Sequence, residues 1–192
     1  MTAGVVLTGG ASRRLGVDKA GLVLPDGETL AMRAWRLLGS ACDPVVEAGP
    51  GRTPAPTVCE DPPGAGPVAA LLAAVAVVGA PIVVLACDHP AMDAALIGRL
   101  ADHDGDTLIP ICGGRPQFVC ARYGPEAIAD LRGALERGDS SFRSLVLGPE
   151  RMLSEARWRA LAGPDTFADV DTAADAARFG IDLPASVLHL PE

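Results

Sequence analysis

Residues Pro81 to Ala86 read Pro-Ile-Val-Val-Leu-Ala, and neither of the two alternating sets of positions carries a polar side chain. A strand that is apolar on both faces has to be covered on both faces, which is the situation of a parallel sheet held between two layers of helices. Val5 to Thr8 predicts a first strand and Pro44 to Ala48 a second, with helical spacing between them from Thr29 to Gly39, where Leu30, Ala34, Leu37 and Leu38 recur. The alternation continues. Helices are expected at Ala69 to Val78, Met92 to His103, Pro125 to Arg137, Arg143 to Leu147, Glu155 to Leu161 and Ala173 to Phe179. Further strands are expected at Thr107 to Ile111, Gln117 to Arg122 and Phe167 to Val170, and Pro50 to Pro56 reads as a surface loop. Apolar residues make up 49% of the chain and aromatics only 4%, so the core must be built from Ala, Val and Leu, which suits helices packed closely on a sheet. At 192 residues, one domain spanning 1–192 is expected.

The first strand runs directly into Leu7-Thr8-Gly9-Gly10-Ala11-Ser12-Arg13-Arg14-Leu15-Gly16-Val17-Asp18-Lys19. Two glycines allow backbone N–H groups to approach a polyphosphate, while Arg14 and Lys19 bring positive charge to the same place. The spacing fits neither the Walker loop nor the dinucleotide fingerprint, so a nucleotide is expected but a Rossmann oxidoreductase is not. An ordinary strand-to-helix turn with surface arginines remains the alternative. Asp88 ends the strongest strand, where open parallel sheets place their ligands. Its carboxylate suits a magnesium ion or the N-cap of the helix that follows Pro90, and the glycine-rich loop upstream moves the balance to the metal, since a triphosphate brings magnesium with it. Asp171 before the last helix carries the same two readings, and Thr172 with Asp175 forms a capping box. Asp61, in a Pro- and Gly-rich loop, can accept hydrogen bonds from a base or ribose, or can belong to an Asp-Pro turn. His89 is a weak metal candidate, because imidazole is a poor magnesium donor; His103 and His189 read as surface residues.

The loop resembles the Leu-x-Gly-Gly signature of the molybdenum cofactor guanylyltransferases, a branch of the nucleotidyltransferases. Glu60-Asp61-Pro62-Pro63-Gly64-Ala65-Gly66-Pro67, Cys87-Asp88-His89-Pro90, Gly114-Arg115-Pro116-Gln117 and Phe167-Ala168-Asp169-Val170-Asp171-Thr172 fall in that family's order. The resemblance implies a three-layer α/β/α Rossmann-like nucleotidyltransferase fold with a mostly parallel mixed sheet. It implies transfer of GMP from GTP to molybdopterin, or its molybdenum form, with release of pyrophosphate and dependence on magnesium. Carried over residue by residue, Leu7, Thr8, Gly9, Gly10, Lys19, Asp61, Gly66 and Asp88 would bind the nucleotide. Lys19, Arg14 and Asp88 would be catalytic, with Asp18 orienting Lys19 and the Lys19 ammonium standing in solvent at the loop end while the site is empty, and Asp88 and Asp171 would hold the metal. The sequence departs from the family in three places. Both asparagines of its Asn-x-Asn-Thr are here Asp169 and Asp171, the last glycine of Gly-Pro-Leu-Ala-Gly is Ala70, and an asparagine after the second strand falls near Gly49. The aspartates move that segment towards the related cytidylyltransferases, so transfer of CMP to molybdopterin, or of a nucleotide to another cofactor or sugar phosphate, is the alternative. A non-catalytic nucleotide-binding regulator would be favoured by loss of Lys19 or Asp88, and both are present.

A net charge of −8 argues against nucleic acid as a partner and makes Arg13, Arg14 and Lys19 stand out. Molybdoenzymes or other cofactor-biosynthesis proteins are the protein partners that the resemblance suggests. No export signal or membrane span is read, so a cytoplasmic location is expected. Five scattered cysteines, without a Cys-x-x-Cys, point to small buried side chains and to neither a disulfide framework nor a zinc site.

Overall fold

The computed structural model describes residues 1–9, 15–60, 62 and 64–184. Among these the strands are β1 (Ala3–Leu7), β2 (Val45–Ala48), β3 (Thr57–Val58), β4 (Ile82–Ala86), β5 (Ile109–Cys112), β6 (Arg115–Pro116), β7 (Cys120–Tyr123) and β8 (Met152–Leu153). The helices are α1 (Leu30–Gly39), α2 (Pro67–Val78), α3 (Ala94–Ala101), α4 (Pro125–Glu136), α5 (Glu155–Arg159) and α6 (Ala173–Arg178).

The main sheet has the order β3-β2-β1-β4-β7, parallel except for β7, which pairs antiparallel with β4. A smaller sheet, β6-β5-β8, adjoins it through the bridge between Leu108 and Arg122. The two-residue period along the central strands builds the layers. Val5, Leu7, Ile82 and Val84 face α2 and α4, while Val6, Val83 and Leu85 face α1 and α3. A third cluster joins Leu15, Leu22 and Leu30 to Val170, Ala176 and Ile181, and so seats α6 beside the turn that follows the phosphate loop. The mixed, mostly parallel α/β/α architecture agrees with the sequence reading.

Several elements differ from expectation. Phe167 to Val170 forms no strand: Phe167 lies in a turn and packs edge-on against Trp158, with 4.9 Å between ring centroids. β4 already has β1 and β7 as neighbours, so a further strand has no edge to join there. The segment instead reaches the end of β4 through the Val170 N–H, which donates to the Asp88 carbonyl at 3.0 Å. Arg143 to Leu147 is reduced to the single 3-10 turn Phe142–Ser144, because Phe142 is anchored in the core against Phe118 and Tyr123.

α3 begins at Ala94, and its N-cap is Asp93, whose carboxylate accepts the Ala95 N–H at 2.8 Å. Asp88 therefore does not cap the helix. Asp93→Ala is expected to cost about 1 kcal/mol of stability, as a lost cap does, and to leave activity at the parental level. Paired thermal melts and turnover assays check it.

Candidate active site

The sheet order reverses at β1, with β2 on one side and β4 on the other. Ligands of open α/β sheets bind outside the carboxyl ends of the strands at such a switch point. Here those ends carry Thr8 and Gly9, where the glycine-rich loop begins, and the strand-end acid, Asp88. They open into a cavity of about 230 Å³ lined by Leu7, Thr8, Gly9, Asp18, Lys19, Ala20, Pro67, Ala86, Cys87, Asp88 and Val119.

Lys19 starts the 3-10 turn Lys19–Gly21, and Asp18 caps that turn by accepting the Ala20 N–H at 3.1 Å. The ammonium of Lys19 lies between two carboxylates, 3.3 Å from Asp88 Oδ2 and in hydrogen-bond contact with Asp171 Oδ1. Burial pulls the Lys19 pKa down. The bonds and charges of Asp171 and Asp88 outweigh it, and the net shift is upward, so the side chain is cationic at neutral pH. Asp171, beyond the helix cap proper, reaches this position because Thr172 and Asp175 form a reciprocal capping box at the start of α6. The loop, the β4 end and the last helix are thus brought to one point from positions 19, 88 and 171.

Two expectations are corrected here. The Lys19 side chain is only 14% exposed and paired, where an ammonium free in solvent was expected of the loop end. Asp18 does not touch Lys19; its second oxygen pairs with Arg52 at 2.6 Å, so its part is to hold the turn rather than the lysine.

Gly66, at φ +97°, is the N-cap of α2, with Pro67 at the first helical position, and Pro67 borders the cavity. Because Gly66 supplies no side-chain cap, the first amides of a twelve-residue helix remain available near the cavity. Gly10, Arg14 and Asp61 lie outside the described residues, as do Arg13 and Ser12. Asp169 is exposed. His89 is buried, with Nε2 4.0 Å from Asp88 Oδ1, beyond hydrogen-bond length, and it does not line the cavity. Of the cysteines, Cys42, Cys87 and Cys120 are buried, Cys112 is intermediate and Cys59 is exposed, all as free thiols. Cys87 faces the site, but burial, with Asp88 nearby, pushes its thiol up to about 12, which removes it as a nucleophile.

Sequence reasoning missed Glu47, which is fully buried in β2 and accepts a hydrogen bond from the Thr8 hydroxyl. Its signal was present as a lone acid inside Val-Val-Glu-Ala, an otherwise apolar strand. The hydrogen bonds from Thr8, Arg52 and Thr53 outweigh its burial and hold the carboxyl below its usual range.

Thr8 and Gly9 after β1, a lysine and two carboxylates meet at the switch point of an α/β sheet, the place where such sheets hold their ligands. The chain belongs to the MobA-like NTP transferase family, whose domain model matches residues 4–152. A probable molybdenum cofactor guanylyltransferase from Opitutus terrae is 38% identical over 177 residues, covering 82% of this chain and 87% of the relative. One of the same description from Mycobacterium marinum is 32% identical over 187 residues, covering 90% of each. Among solved structures, a molybdopterin-guanine dinucleotide biosynthesis protein A from Archaeoglobus fulgidus superposes with a TM-score of 0.75 at 22% identity, covering 92% of this chain and 96% of that one. A nucleotidyl transferase from Methanothermobacter thermautotroptrophicus gives 0.68 at 21% identity, covering 93% and 95%. At those identities the likeness shows the fold. The family and the sequence relatives together make the chain an enzyme of the nucleotidyltransferase class.

Proposed function

We propose that the enzyme transfers GMP from GTP to the phosphate of molybdopterin. An acceptor phosphate oxygen bonds to the α-phosphorus of GTP, the bond from that phosphorus to the oxygen bridging it to the β-phosphorus breaks, and pyrophosphate departs with the electron pair. The observation that carries the reading is the convergence of Lys19, Asp88 and Asp171 beside Thr8, Gly9 and the α2 N-terminus, supported by the names of the sequence relatives.

The site's residues divide the work by chemistry. The Gly9 amide and the first turn of α2 would bind phosphoryl oxygens; the Thr8 N–H is already given to the Ala48 carbonyl at 3.2 Å. Lys19, held at the cavity by its carboxylates, would stabilise the charge that grows on the departing pyrophosphate, a contribution that is large when the cation is already in place and partly dry. Asp88 lines the cavity and Asp171 meets it at Lys19, and as hard oxygen donors the two fit magnesium, which commonly takes one or two carboxylates and fills its other positions with water and phosphate. Bound there, magnesium would neutralise phosphoryl charge.

Purified enzyme incubated with magnesium, molybdopterin and each of the four nucleoside triphosphates, followed by pyrophosphate release, tests the reaction. GTP is expected to support turnover and, by calorimetry, to bind in preference to CTP and ATP. Asp169 and Asp171, standing where the family pattern has asparagines, favour the cytidylyl alternative, and CTP binding as tight as GTP or tighter would move the assignment to it.

A further inference from the structure

Glu47 occupies a position where β2 calls for an apolar side chain. Its carboxylate is instead fully satisfied by the hydroxyls of Thr8 and Thr53 and the amides of Gly51, Arg52 and Thr53, at 2.5 to 2.9 Å. A buried carboxylate is tolerated only when satisfied in this way, and a valine would have made a less costly core. What the carboxylate does is hold residues 49–53 in a tight loop, and that loop lies against both ends of the phosphate segment. At one end, a Cβ on Gly49 would stand 2.0 Å from the Thr8 hydroxyl and 2.9 Å from the Gly9 nitrogen, an approach open only to glycine. At the other, Arg52 pairs with Asp18 at 2.6 Å, and Asp18 caps the turn that presents Lys19.

We propose that Glu47 is a positioning residue for the nucleotide: the 49–53 loop that it holds ties Thr8 and Gly9 to Asp18, and so sets where the Gly9 amide and Lys19 meet the phosphates. The inference rests on the nucleotide-binding reading above. Ligand-contacting groups such as Gly9 and Lys19 that are fixed before the ligand arrives give up less conformational freedom on binding, and the gain appears as affinity.

Calorimetry with GTP and magnesium, run well below the melting temperature, compares the parent with Glu47→Gln, Arg52→Gln and Ile97→Val. Ile97 is fully buried in α3, away from the cavity, so its variant reports loss of stability alone. Glu47→Gln is expected to weaken binding about tenfold, the scale of a lost charge-assisted hydrogen bond, and to raise KM more than it lowers kcat. Arg52→Gln, at a half-exposed pair, is expected to weaken binding roughly threefold with an unchanged melting temperature. Ile97→Val should bind like the parent despite melting earlier. A folded Glu47→Gln that binds like the parent overturns the proposal. Should Glu47→Gln not fold, parental binding by Arg52→Gln overturns it. A parent that binds neither GTP nor CTP overturns this inference and the functional reading together, whereas a binding parent matched by both loop variants overturns this inference alone.

Discussion

Lys19→Ala is expected to lower turnover about a hundredfold or more, the size found when one well-placed electrostatic stabiliser is removed. The same substitution leaves Asp88 and Asp171 facing each other without the cation that lies between them. Because both carboxylates keep some contact with water, the loss of stability is expected at roughly 1–2 kcal/mol rather than the larger value of a fully buried pair. In a domain of this size that corresponds to a fall of several degrees in Tm. The two effects separate. Adding Asp88→Asn to Lys19→Ala removes the like-charge contact, so the double variant should recover Tm and stay inactive. The pH dependence has a definite sign as well. A lysine whose folded pKa is raised contributes fully below its ordinary value of 10.5, and that contribution fades as pH climbs through the folded value. The Tm gap between parent and Lys19→Ala should therefore be constant through neutral pH and close only above about 10.5. Parental turnover by the variant would return Lys19 to an ordinary structural ion pair.

The parts of the molecule visible in sequence were those governed by short-range rules. Val5, Val6 and Leu7, and Ile82 to Leu85, alternate between the two cores of the structure, and a run apolar on both faces has few other places to be. Thr29 caps α1 and Thr172 with Asp175 caps α6, both through hydrogen bonds spanning three residues. Phe167 to Val170 misled for a related reason. It has the composition of a strand, but whether a strand forms depends on a free sheet edge, and β7 had taken that edge from a distance along the chain. The site shows the same division. Leu7, Thr8, Gly9, Lys19 and Asp88 line one cavity, as the motif order implied. The pairing of Arg52 with Asp18, the hold of Glu47 on Thr8 and the contact of Lys19 with Asp171 join residues 34 to 152 positions apart, and no local pattern encodes such pairings.

Asp88→Asn is expected to abolish most activity, by about a hundredfold or more, while leaving the fold in place. The structural role that the sequence left open to Asp88, the cap of α3, belongs to Asp93, and the Val170 bond is accepted by the Asp88 backbone carbonyl, which an asparagine keeps. Lys19 also keeps Asp171, so the change in stability should stay within about 1 kcal/mol, as for a partly exposed ion pair. What the substitution removes is a negative oxygen at the carboxyl end of β4, beside the phosphate loop. A neutral amide oxygen is a weaker donor to a hard cation, so raised magnesium should restore only part of the activity, with half-saturation at a higher concentration than in the parent. The reciprocal substitution sharpens the comparison, because Asp93→Ala, five residues on, should lose stability and keep activity. If Asp88→Asn instead turns over like the parent at ordinary magnesium, Asp88 serves only as a partner of Lys19, and the metal position must be sought around Asp169 and Asp171.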